Sequence, residues 1–104
     1  MVEFRRHRRT PVAFPVEFSV ADSSGPRATG QATDLSLGGM FIQTTAPLAF
    51  SAELVVYLTL PAQKAKLELR GVVRWTGQNG MGVQFGLLGA RETHAITEMT
   101  KLTS

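Results

Sequence analysis

With 104 residues, 43% of them apolar and 18% charged, the chain is long enough for one folded domain and too apolar to remain disordered. It has no cysteine, which excludes a disulfide framework, a thiol nucleophile and a thiolate metal site. The net charge of +3 is mild, but four of the eleven Lys and Arg residues crowd into Arg5, Arg6, Arg8 and Arg9, so an anionic partner is favoured by local field more than by total charge.

The opening residues lack the apolar core of a signal peptide, and no apolar run approaches the ~20 residues of a membrane span. The expectation is a soluble, cytoplasmic protein. The basic run contains arginine and no lysine. It is either a solvated tail or a clamp, because the planar guanidinium recognises phosphates and base edges in a bidentate way.

From Pro11 the pattern is extended. Val12, Phe14, Val16, Phe18 and Val20 alternate with smaller or polar residues, which predicts a strand with one buried face. Pro11 and Pro15 lack N–H donors and place its start at an edge or an irregularity. Residues 21–26 are turn-like, and 27–33 form a weaker second strand. Asp34-Leu35-Ser36-Leu37-Gly38-Gly39 reads as a loop leading into a third strand over 40–45. In the connection that follows, Phe50 is expected to anchor into the core.

Residues 53–60 are strongly strand-like, and 61–64 turn the chain. A fifth strand over 66–75 contains Gly71, a candidate bulge. Asn79-Gly80 is a hairpin signal within a connection longer than two residues. The last strand, 81–85, places Met81, Val83 and Phe85 on one face. From Ala90 the period changes: Ala95, Ile96, Met99 and Leu102 share one side of a short amphipathic helix that covers one end of the sheet. The prediction is an all-β fold: five or six antiparallel strands in a small closed or split barrel with a C-terminal helix, since closure removes exposed edges.

Catalytic chemistry finds little support. His7 and His94 are far apart, the carboxylates are scattered, and no phosphate loop or dinucleotide fingerprint occurs. No metal or cofactor is expected, and the chain is not expected to be an enzyme. Binding fits better. Asp34 serves either as a turn cap or as an acceptor for N–H donors of a polar ligand such as a guanine edge. Ser36 has a hydroxyl for a phosphate oxygen, and Gly39 lets a ligand lie close.

Arg5 and Arg9 form an R-x-x-x-R pattern ahead of Thr10-Pro11 and a strand, and Asp34, Ser36 and Gly39 form D/N-x-S-x-x-G. Together, and with Gly71-Val72-Val73-Arg74-Trp75 and Gly80-Met81-Gly82-Val83-Gln84-Phe85 after them, they resemble the signature of the PilZ domain, a bacterial receptor for cyclic di-GMP. The resemblance runs through essentially the whole chain. It implies that residues 1–10 are a flexible arginine-rich segment that wraps over the ligand, and that 11–104 are a six-stranded antiparallel (split) β-barrel with a C-terminal helix. Arg5 and Arg9 would stack on guanine and clamp phosphates, Asp34 would accept from the guanine edge, Ser36 would hydrogen-bond nearby and Gly39 would shape the turn. Arg6, Arg8 and Arg74 are secondary contacts. Phe4, just before the first motif arginine, leans toward one bound ligand molecule instead of an intercalated pair. Trp75 reads first as a core residue and second as a ligand contact.

The implied function is a non-enzymatic receptor, monomeric or homodimeric, that relays the cyclic di-GMP level to a separate effector protein controlling motility, pili, biofilm or exopolysaccharide. Two other readings are a barrel of the same fold that acts only through protein contacts, and a basic-armed nucleic-acid binder. The last is disfavoured by the modest charge and by the lack of an evident aromatic stacking platform beyond Phe4, Phe41, Tyr57 and Trp75.

Overall fold

Alternating apolar residues build six strands: β1 (Thr10–Val20), β2 (Ala28–Leu35), β3 (Gly39–Gln43), β4 (Glu53–Leu60), β5 (Ala65–Gly77) and β6 (Gly80–Phe85), followed by a helix, α1 (Ala90–Thr103). The computed structural model describes residues 9–21, 25–60 and 65–103. All strand pairs are antiparallel, and they close into a barrel in the order β1-β2-β3-β6-β5-β4. Phe14, Val16 and Phe18 of β1 point inward, where they meet Ile42, Leu54, Val56, Leu69, Val73, Met81 and Val83. Burying each such side chain contributes roughly 1.5–3 kcal/mol over leaving it exposed, so the shared interior, more than strand propensity, holds the barrel together. The helix adds Ala95 and Ile96 to this core and keeps His94 exposed. No helix among the described residues is long and apolar enough to cross a membrane.

Three register shifts break the regular alternation: between Pro11 and Phe14 in β1, between Ala32 and Asp34 in β2, and between Val73 and Trp75 in β5. In the β2 shift, Ala32 pairs with Ile42 and Asp34 with Phe41, so Thr33 and Asp34 together face one residue of β3. Strict alternation after the buried Ala32 would have turned Asp34 inward and Leu35 outward. The extra residue reverses this: Leu35 is fully buried and Asp34 lies on the outer face. The β5 shift works the same way. Val73 pairs with Val83 and Trp75 with Gly82, so Arg74 and Trp75 both point outward.

Several expectations need correction here. Trp75 is 54% exposed, because the bulge turns it away from the core. The bulge itself is not at Gly71, which keeps regular pairing with Leu54 and Phe85. Gly71 is small because a Cβ there would stand 2.6 Å from Val83 Cγ1 inside the barrel. Phe50 does not anchor its loop and is 61% exposed. It occupies a central position of a tight turn closed by Ala52 N–H to Ala49 O at 3.0 Å, with Ser51 at φ 72°. That loop is instead pinned to Val73 through Ser51 N–H to Val73 O (2.8 Å) and Val73 N–H to Ala52 O (2.9 Å), while Leu48 and Ala52 pack on the core. The β5–β6 connection is shorter than expected, since Gly77 pairs with Gly80 and leaves only residues 78 and 79 between them.

Candidate ligand-binding site

Asp34 ends the outer face of β2, and its backbone register sets it opposite both Pro11 and Phe41. Its Oδ1 accepts the Phe41 N–H at 3.1 Å and a hydrogen bond from Arg9 Nη1 at 2.7 Å. The arginine and the carboxylate are 33% and 29% exposed, so water screens their attraction and the pair fixes orientation more than it stabilises the fold. A single oxygen thus takes both the backbone donor of the neighbouring strand and the Arg9 guanidinium.

The turn after it is held from inside. Ser36 N–H donates to Gly39 O at 2.9 Å, and Ser36 Oγ accepts the Gly38 N–H at 3.1 Å. Ser36 is 4% exposed, and its hydroxyl serves this loop. Phe85 N–H donates to Gly38 O at 2.9 Å, which ties the turn to β6. Gly39 pairs with Gln84, and a Cβ on it would fall 2.0 Å from Val83 O. Glycine is needed there because a neighbouring strand comes close.

The same rung of the barrel continues outward from Asp34 through Phe41 and Gly82 to Trp75. The Phe41 and Trp75 rings pair with centroids 5.7 Å apart, tilted by 44°, within the range of favourable aromatic pairs. They lie over a floor without side chains: an added Cβ at Gly77 would meet Trp75 Cη2 at 2.7 Å, and one at Gly80 would meet Phe41 Cε2 at 3.0 Å. Beside them, Arg74 Nε donates to Gln84 Oε1 at 2.7 Å.

Of the residues singled out from sequence, the structure thus brings Arg9 onto Asp34, places Ser36 and Gly39 in the adjoining turn, and sets Arg74 on the outer face of β5 beside Trp75. Phe4, Arg5, Arg6 and Arg8 lie outside the described residues. The aromatic pair was missed as a unit. Its signal was the face of β6 opposite Met81, Val83 and Phe85, where Gly80 and Gly82 leave room for rings to lie flat. Among the described residues no group of His, Cys, Asp and Glu could hold a metal ion.

No curated protein matches the chain. Among solved structures, it is similar to the PilZ domain of CeSA from a cellulose-synthesizing bacterium (22% identity, TM-score 0.73, covering 90% of this chain and 95% of that one). It also resembles the Bacillus subtilis inhibitor of motility MotI/DgrA (16% identity, TM-score 0.72, 97% of this chain and 51% of that one). A third is MrkH of K. pneumonia, solved as a complex with c-di-GMP (18% identity, TM-score 0.70, 94% and 50%). The chain spans about half the length of these last two proteins. The sequence itself matches the PilZ domain model over residues 3–101, and the chain belongs to the PilZ domain family.

Proposed function

We propose that this chain is a non-enzymatic receptor for cyclic di-GMP that passes the ligand's level to a separate effector protein. The observation that carries the reading is the Arg9–Asp34 contact at 2.7 Å, which joins the two sequence motifs across 25 residues on the outer face of the barrel. A cyclic dinucleotide presents phosphates and guanine edges together, and an arginine beside a carboxylate offers the complementary cation and acceptor. Support also comes from the family and from MrkH, whose solved complex contains this dinucleotide.

In this reading, residues 1–10 form the clamping segment, with Arg5 and Arg9 as its principal members and Arg6 and Arg8 as further cations. Asp34 receives the guanine edge, while Ser36 and Gly39 act by shaping the turn that presents it. Arg74 meets a phosphate or base from β5, and Phe4 favours a single ligand molecule. The Phe41–Trp75 pair supplies an apolar flank on which a base can stack.

Calorimetric titration with cyclic di-GMP, beside GTP and cyclic AMP, tests the proposal. Selective heat for the dinucleotide is expected, and equal heats or none would remove it. Trp75 provides a second readout, as the one tryptophan of the chain, half-exposed on this face. Its emission is expected to change on saturation with the dinucleotide and to stay constant with cyclic AMP. Replacing it, Trp75→Ala, is expected to weaken binding by about fivefold or more, since base–aromatic stacking is worth roughly 1–3 kcal/mol. Calorimetry on the variant checks this.

A further inference from the structure

β1 is 11 residues long, yet it pairs with β4 only from Glu17 to Val20. The reason lies in the hydrogen-bond phase. Ala21 N–H donates to Glu53 O at 2.9 Å, in register with the Val20–Leu54 pair. In an antiparallel ladder, alternate residues direct both backbone groups to the same neighbour, so residues 17, 19 and 21 of the first strand face 57, 55 and 53 of the other. The next rung would set Pro15 against Thr59, and proline has no N–H to give. The ladder stops there. Arg27 spans its last rung, Glu17–Tyr57, with Nη1 3.1 Å from Glu17 Oε1 and its guanidinium carbon 3.6 Å from the Tyr57 ring centre.

Beyond that rung the two strands part around a cavity of about 530 Å³. It is bounded by Pro15 and Val16 on one side and by Leu58, Thr59, Lys66 and Leu67 on the other, and Glu17, Arg27 and Glu68 also line it. By the same phase, the N–H and C=O of Thr59 point into the opening, while Leu58 and Leu60 turn theirs to β5. The floor is apolar, and Lys66, opposite Thr59, makes no ion pair with a described residue.

We propose that this seam is a docking site for an extended segment of a partner protein. The segment enters as a short added strand that pairs with Thr59, lays an apolar side chain over Val16, Leu58 and Leu67, and sets an acidic side chain beside Lys66. Unpaired strand groups are completed by another strand, in the manner of β-augmentation, and Lys66 selects the sign of the side chain set beside it, since Arg27, the other described cation lining the cavity, is taken by Glu17. The site is separate from the Arg9–Asp34 face and does not depend on dinucleotide binding.

The probe is a displayed library of random linear heptapeptides, panned against the full chain and against Pro15→Val. Restoring the N–H at this position is expected to zip the seam, slow hydrogen exchange at the Thr59 amide without any peptide, and weaken the selected peptides at least tenfold. Those peptides are expected to alternate apolar and polar residues, to carry an acidic residue, and to slow Thr59 exchange in the unmodified protein at least tenfold. In Lys66→Glu, an exposed change that leaves the core alone, the selection should move to basic peptides, which keeps the test decisive if Pro15→Val folds poorly. Three results would overturn the proposal: enrichment no better than against Pro15→Val, selected peptides that leave Thr59 exchange unchanged, or Thr59 protection that grows with protein concentration alone, which would make the occupant a second copy.

Discussion

Asp34→Ala is expected to lower affinity for cyclic di-GMP by about 10–150-fold, the equivalent of the roughly 1.5–3 kcal/mol carried by a hydrogen bond to a charged group. The substitution removes the proposed acceptor for the ligand, and it also frees Arg9 and the Phe41 N–H, which share Oδ1. Those two losses act on the protein alone. Asp34→Asn separates them, because the amide oxygen can still accept from Phe41 but no longer attracts the guanidinium. It should fold as the parent does and bind with an intermediate affinity. Arg9→Ala should weaken binding on a similar scale and leave stability nearly unchanged, since its pair with Asp34 is about one-third exposed on each side. Calorimetry for the ligand and urea unfolding for the fold, run on all three variants, check the assignment. Undiminished affinity in Asp34→Ala would remove this residue from the site.

The second large effect concerns the fold. Gly39→Ala would put a methyl group 2.0 Å from Val83 O, a backbone atom that cannot yield without loosening the pairing between β3 and β6. A loss of about 3 kcal/mol or more is expected, at the upper end for overpacking. For a domain of this size, that corresponds to a fall in Tm of at least about 12 °C. Gly82→Ala is the control. An added Cβ there would meet only Trp75 Cβ, at an ordinary 3.6 Å, and the change in stability should stay within about 0.5 kcal/mol. Thermal and urea unfolding of the two variants give the comparison. Similar destabilisation in both would show that the close approach at Gly39 is not what matters.

Much of the barrel was legible because its strands obey period 2 over long runs. Val12 to Phe18, Glu53 to Leu60 and Met81 to Phe85 all announced themselves, and the six strands and terminal helix stand where the patterns put them. Two misplacements lie at bulges, which add a residue without any compositional mark. A lone tryptophan near a barrel strand reads as core, yet the bulge turns Trp75 outward. Asp34 reads as a loop residue from the Ser and Gly that follow it, although it is the next-to-last residue of β2. Phe50 failed differently: size and apolarity suggested an anchor, but the turn from Ala49 to Ala52 spends its central positions on reversing the chain. The prolines were better guides. An irregular start to β1 was expected from them, and the shift after Pro11 and the end of pairing next to Pro15 both appear.

For the candidate site, the family resemblance gives Arg9 and Asp34 to one ligand without pairing them with each other, and the direct contact between them is seen only in the structure. The neighbouring rings of Phe41 and Trp75 depend on strand order, β3 beside β6 beside β5, which no local pattern encodes.

The bulge at Thr33 also makes the chain unequally tolerant of deletions at two neighbouring places. Thr33 and Asp34 share one partner on β3, so a one-codon deletion of Thr33 leaves Ala32, Asp34 and Leu35 opposite Ile42, Phe41 and Met40 in plain alternation, with the carboxylate still outward. The strand thus carries a spare codon that a descendant gene could drop while keeping its motif and the aim of Asp34. A codon lost from the turn just after it has no such slack, because Ser36 N–H to Gly39 O closes that turn at its present length.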